Sequence, residues 1–344
     1  GIIGGGIAAA VIIAVLFVSM GTQNDAVPLP IENDVVIPSE DKFLVYTTFY
    51  PLYQFTQGVA GDAADVRILI PSNGDPHSFE LGPKTIVDLT KADMLVYNGA
   101  NFEPYIDEIM SSSDFDHIVF VDSSEGITLM EGEVHDHSSH GSHGDEKHDD
   151  HAKEDGHDDH AEEGDMDHTY DPHIWLDPIL AKSQVMTIAD HLKESDPEHA
   201  DIYHDNAISY ANQLDLLDQE IRSEVSSCAK DTFVPFHNAF SYFAERYDLN
   251  TLAVIQEFSP ETPVTAKDIE ELIHFAEDND IKYFFTEENR NPRIAERLAT
   301  ELGGDILLFS PLESLSAKDD ADTTYFDKMR QNVDNLQIAL ECSS

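Results

Sequence analysis

Positive charge is what this sequence has least of: 19 lysines and arginines stand against 68 aspartates and glutamates, a formal charge of −49. Such a chain repels a phosphate backbone, which argues against nucleic acid as a partner and leaves cations as better ones; solubility or a salty exterior is the blander reason for the same excess. Cysteine is scarce too, two in 344 residues, and none stands directly after the apolar N-terminal run, so no lipoprotein acylation site is expected there. No HExxH motif occurs, which removes the helical signature of the zinc hydrolases. Long apolar runs are limited to one, "GIIGGGIAAAVIIAVLFVSMG" at residues 1–21, close to the roughly 20 residues a helix needs to span a bilayer. With no small-x-small cleavage motif after it, an uncleaved membrane anchor is expected over a removed signal peptide. The chain shows neither an initiator Met nor a basic flank, so its start is expected to be trimmed and orientation is not read from charge. Residues 22–41 are polar, carry Pro28, Pro30 and Pro38, and read as a tether holding the folded part outside the cell.

What is present is an alternation. The short apolar runs "FLVYTTF", "DVRILI", "DMLVYNGA" and "HIVFV" are separated by stretches of helical length at residues 82–90 and 103–110. A second series, "TFVPF", "LAVIQ", "IKYFFT" and "DILLF", follows later. Strands alternating with helices predict mostly parallel sheets, and the length favours two cores, so the fold class is α/β with two lobes, 42–176 and 229–344. Between them, in residues 177–228, Ile202, Ile208, Ala211, Leu214, Leu217, Ile221 and Val225 recur at helical spacing. One long connecting helix is expected, opening near Pro197 and running about 28 residues, about 42 Å.

Residues 131–169 are a His/Asp/Glu/Gly/Ser tract holding nine of the 17 histidines. With little to bury, the tract is expected to be a disordered loop at the end of the first lobe. Its imidazoles attract Zn²⁺, Ni²⁺ or Cu²⁺ weakly without specifying a site, and a plain solvated spacer is the alternative. Ligands of α/β sheets bind beyond the carboxyl ends of strands. His77 in "PSNGDPHSFELGP" just after a strand, His173 in "YDPHIWLDP" just before the long helix and His237 in "FVPFHNAFSYF" immediately after a strand all flank strand or helix ends. Two of them share Asp-Pro-His, in which proline stiffens the backbone and aspartate can bond nearby amides. One such histidine would be structural more often than not; three in equivalent loops, beside a metal-attracting tract, point to a metal site.

"GDPHSFELGP", "DPHIWLDP" after a His/Asp-rich insertion, "FVPFHNAFSYFAERY", "ETPVTAKDIEELI" and "IKYFFTEEN" together resemble the zinc- and manganese-binding solute receptors of ABC importers, the ZnuA-, TroA- and PsaA-like family, from about Lys42 to Cys342. The resemblance implies two α/β lobes joined by one long helix, a metal in the interlobe cleft, and a membrane permease as partner. It places the first three ligands on His77, His173 and His237. Manganese receptors carry a carboxylate at the third position, so His237 points to Zn²⁺, as imidazole chemistry does; Mn²⁺ or iron remains the alternative cargo. The family's fourth position falls on Ser310, a poor zinc ligand, leaving water, Glu313 or a carboxylate of the tract, in that order, to complete the site. Three histidines plus water also describe catalytic zinc, with Glu257, Glu287 or Glu288 as conceivable bases, but no enzyme is expected. A surface adhesin is the third reading, and the receptor is expected to be a monomer. Cys228 and Cys342 bracket the second lobe, and in an exported chain such an even pair favours a disulfide over two free thiols.

Overall fold

The computed structural model describes residues 42–71, 74–132, 170–261, 263–316, 318–320 and 322–343. The expected anchor and tether, and all but the first two residues of the histidine tract, lie outside them. Among the described residues no helix is long and apolar enough to cross a membrane.

The first lobe is a four-stranded parallel sheet of β1 (Phe43–Thr47), β2 (Ala64–Ile68), β3 (Met94–Tyr97) and β4 (Val119–Asp122), in the order β2-β1-β3-β4. Its crossovers are α1 (Tyr50–Ala60), α2 (Pro83–Leu89) and α3 (Ile106–Met110). Pro51 and Pro83 sit in the first turns of α1 and α2, where a missing N–H costs nothing. The central strands β1 and β3 bury Val45, Met94, Leu95 and Val96 completely, as a sheet covered on both faces requires.

In the second lobe, β5 (Thr232–Phe233) pairs with β6 (Asn250–Thr251), and β7 (Tyr283–Thr286) with β8 (Asp305–Leu308), both parallel. A single bridge between Val234 and Phe284 joins the two pairs. These strands are shorter than the sequence suggests, and the second lies wholly ahead of "LAVIQ", of which only Ile255 forms a bridge. Pro235 offers no N–H to the ladder, so regular pairing stops at Phe233 and resumes only as the isolated His237–Ile255 bridge. Helices α6 (Ser241–Arg246), α7 (Ala266–Asp278), α8 (Arg293–Leu302) and α9 (Tyr325–Ala339) complete the lobe. The last of them carries a capping box at Thr324 and Asp327.

The connection is a helical pair. Asp177 caps α4 (Pro178–Ser195) by accepting the Ile179 and Leu180 amides, and α5 (Ala200–Val225) follows after a short 3₁₀ turn opened by Pro197. The long helix thus starts later than Pro197, and its buried stripe differs at its N-terminal end: Tyr203, Ala207 and Tyr210 face the core, while Ile202 and Ile208 are exposed. Helix α5 packs on α4, on α1 of the first lobe and on α9 of the second. One continuous apolar core runs from Phe49 and Phe55 through Trp175, Leu214 and Leu217 to Phe285 and Phe309, so the lobes share a hydrophobic spine. Cys228, at the end of the α5 segment, and Cys342, just after α9, stand opposite one another as an isolated antiparallel bridge.

Candidate metal centre

The two Asp-Pro-His turns have the same internal geometry. Asp75 Oδ1 accepts the His77 amide at 3.0 Å, and Asp171 Oδ1 accepts the His173 amide at 2.9 Å. In each, the aspartate closes a tight local turn that fixes the histidine backbone. His77 follows β2 in the first lobe, His173 precedes α4, and His237 follows β5 in the second.

These three imidazoles converge with the Glu313 carboxylate, one ligand atom from each lying within 4.8 Å of all the others. Glu313 Oε1 is 2.9 Å from His77 Nε2 and 3.5 Å from both His173 Nε2 and His237 Nε2. His173 and His237 are fully buried, with their Nε2 atoms 3.3 Å apart. Two of the rings are held from behind. Asp171 Oδ1 takes His173 Nδ1–H at 2.8 Å, and Glu287 Oε1 sits 2.5 Å from His237 Nδ1. Each carboxylate fixes the tautomer, turns Nε2 toward the centre and raises its basicity, as carboxylates behind metal-bound imidazoles do.

Burial by itself favours neutral rings at His237 and His173. Against it, Glu287 and Glu313 push His237 up to about 10, and Asp171 and Glu313 raise His173. Burial would also raise Glu313, but the three histidines around it hold its carboxyl well below the usual range. The cluster therefore offers negative charge that the metal-free protein answers with protons. A divalent cation bound by neutral imidazoles would answer it equally well.

Ser310 is not part of the cluster. Its hydroxyl accepts the Leu312 amide at 3.1 Å, and its backbone is locked to the Asn332 side chain on both sides. The chain turns after β8 with Leu312 at φ +59°, and the turn delivers Glu313 three residues beyond the expected position. Of the groups considered for the fourth position, Glu313 is one that reaches the imidazoles among the described residues. Trp175 Nε1–H donates to the Pro311 carbonyl at 2.8 Å, coupling the His173 turn to the Glu313 turn. Of the other acids considered, Glu287 orients His237, Glu288 pairs with the buried Lys328, and Glu257 is exposed. The orienting roles of Asp171 and Glu287 escaped the sequence reading. Aspartate two residues before His173 was a visible signal for the first; nothing local marked the second.

Two α/β lobes closed over three imidazoles and a carboxylate define a cleft receptor with the donor set for a divalent transition-metal ion. The chain belongs to the ZnuA family, described as zinc-uptake complex component A, periplasmic, whose model matches residues 45–339. It is 35% identical over 301 residues to the high-affinity zinc uptake system protein ZnuA of Bacillus subtilis, covering 87% of this chain and 88% of that protein. It is 34% identical over 304 residues to the zinc-binding protein AdcA of Streptococcus pyogenes; there the match takes in 88% of this chain but only 57% of the relative, little more than half its length. Among solved structures, the laminin-binding protein of Streptococcus agalactiae, described as bifunctional with adhesin and metal-transporting activity, superposes with a TM-score of 0.71 at 28% identity, covering 87% of this chain and all of that one.

Proposed function

We propose that this chain is the extracytoplasmic receptor of a zinc ABC importer, taking up Zn²⁺ at His77, His173, His237 and Glu313 and handing it to a membrane permease. The observation that carries the reading is the convergence of ligand atoms from both lobes within 4.8 Å. Three imidazoles suit zinc better than manganese, which prefers oxygen. Zinc is cargo here, and the chain is a receptor, not an enzyme: its family is a component of zinc uptake, and a carboxylate stands where a hydrolytic zinc keeps an open position for water. Capture needs neutral imidazoles, so zinc displaces protons from the buried rings, and two rings already aimed by Asp171 and Glu287 close on the ion with little reorganisation. Calorimetric titration of protein purified without a metal-affinity step tests the reading. One tight zinc equivalent is expected, and manganese or iron at one per chain in the purified protein would overturn it.

The remaining assignments follow from the same reading. Residues 1–21 anchor the receptor, 22–41 tether it, and Cys228–Cys342 is a disulfide of an exported protein working as a monomer. Residues 131–169 act as a collector, raising the local zinc concentration beside the cleft. Deleting most of that tract while keeping Tyr170–Pro178 is expected to remove weak zinc equivalents and leave the tight one. Adhesion is a second reading, supported by the bifunctional description of the S. agalactiae structure. Deletion that impairs zinc-limited growth with attachment unchanged would separate transport from it.

A further inference from the structure

We propose that Arg290 is a clasp between the lobes that controls how fast zinc leaves; the proposal rests on the reading of His77, His173, His237 and Glu313 as the zinc site. Arg290 lies between β7 and α8 in the second lobe. Its Nη2 is 3.0 Å from Asp75 Oδ2 in the first lobe, an ion pair, though not one with hydrogen-bond geometry. Its Nη1 pairs with Glu261, and its Nε lies 4.0 Å from Glu287 Oε2. Asp75 and Glu287 are the carboxylates whose other oxygens hold the His77 amide and the His237 ring. One guanidinium thus touches the group behind a ligand of each lobe. Among the described residues it makes the sole lysine or arginine ion pair between residues 42–132 and 229–343.

The position matches the route out. His173 and His237 are sealed from solvent, whereas the His77 side chain keeps 8% exposure, so the cluster meets solvent on the His77 side. Beside the cluster, a cavity of about 80 Å³ is lined by Asp75, Pro76, Glu287, Arg290 and Glu313. The Arg290 side chain is only 16% exposed and Asp75 20%, so salt screens the pair less than a surface contact. Arginine suits the task because its charge is permanent and its planar fork can meet several carboxylates together. Losing a contact that spans two bodies acts mainly on the rate at which they part. Zinc coordination stays with the four ligands.

The test is stopped-flow transfer of zinc from the full chain, loaded with one equivalent, to excess chelator. Arg290→Ala is expected to release zinc about tenfold faster than wild type. Arg290→Lys should recover part of the loss, and the Co²⁺ absorption spectrum of Arg290→Ala should match wild type, since the donors are untouched. Asp75→Asn should release as fast as Arg290→Ala, with the double variant no faster than either single one, because all remove the same contact; should Arg290→Ala fail to fold, Asp75→Asn is read against wild type alone, and release at the wild-type rate overturns the clasp. A wild-type chain with no tight zinc equivalent overturns the site and the clasp with it. A wild type that binds, beside an Arg290→Ala that releases at the wild-type rate or single variants whose effects multiply in the double, overturns the clasp alone.

Discussion

Asp-Pro-His occurs twice, at residues 75–77 and 171–173, and the two copies share a turn but differ in what stands behind it. Behind His173, one aspartate oxygen holds both the amide and the ring, and the side chain is wholly buried. Behind His77, the aspartate holds the amide alone and turns its other oxygen toward Arg290 across the cleft. The tripeptide sets the backbone, and the surroundings decide whether the imidazole is a fixed part of the wall or sits at the door. His237 belongs with His173, its ring held by Glu287.

Removing rings breaks this comparison most severely. His173→Ala and His237→Ala are expected to abolish tight zinc binding and also to lower the stability of the metal-free protein by about 1–3 kcal/mol, because Asp171 or Glu287 is left buried without its partner. His77→Ala should abolish tight binding with little loss of stability. Calorimetry paired with thermal melts separates the two classes, and equal destabilisation by all three would erase the distinction. Next in size, Glu313→Ala should weaken zinc by at least about tenfold, whereas Ser310→Ala should change affinity by less than about threefold while costing about 1 kcal/mol of stability from its turn. Asp171→Asn, which keeps the acceptor but removes the charge behind His173, should weaken zinc by about 10- to 100-fold.

The pH dependence follows from the same carboxylates. An unperturbed histidine would place the loss of zinc affinity near about 6.5. Here burial favours the neutral rings, but Glu287 and Glu313 push His237 up to about 10 and Asp171 and Glu313 raise His173. In the metal-free protein the charged His237 ring stabilises the fold fully below the unfolded histidine value of about 6.5, and that contribution is lost as pH rises through about 10; the raised His173 acts in the same direction. Zinc must displace those protons, so affinity is expected to keep rising well above pH 6.5. Binding near pH 7.5 should release protons, detectable by calorimetry in buffers of different ionisation enthalpy. A buffer-independent enthalpy would contradict it. The smallest effect on the site is expected from reducing Cys228–Cys342, which supplies no ligand atom to the cluster. By the chain-entropy model the bond across 114 residues contributes up to about 4–5 kcal/mol of stability, so melting should fall while zinc affinity stays within about twofold.

What could be read from the sequence was what is local. The strands of the first lobe, the α5 stripe from Ala211 onward and the two Asp-Pro-His turns each depend on neighbours within a few residues. Ile202 and Ile208 misled because an apolar residue at helical spacing faces the core only if a partner covers it, and Tyr203 and Tyr210 occupy that face instead. The group beside the three imidazoles was not legible for another reason. The left-handed Leu312 and the grip of Asn332, 22 residues away, set where the chain points after β8, and neither is written into the motif. The positions of Glu287 behind His237 and of Arg290 beside Asp75 were not legible because these partners lie 50 residues or more distant in sequence.

The central claim, that one zinc ion is held by His77, His173, His237 and Glu313, is tested most directly by X-ray absorption at the zinc edge on the full chain carrying a single equivalent. The account predicts a four-coordinate ion with three imidazole nitrogens at about 2.0–2.1 Å and one carboxylate oxygen, losing an imidazole in His77→Ala. An all-oxygen shell, or a spectrum unchanged in His77→Ala, would contradict it.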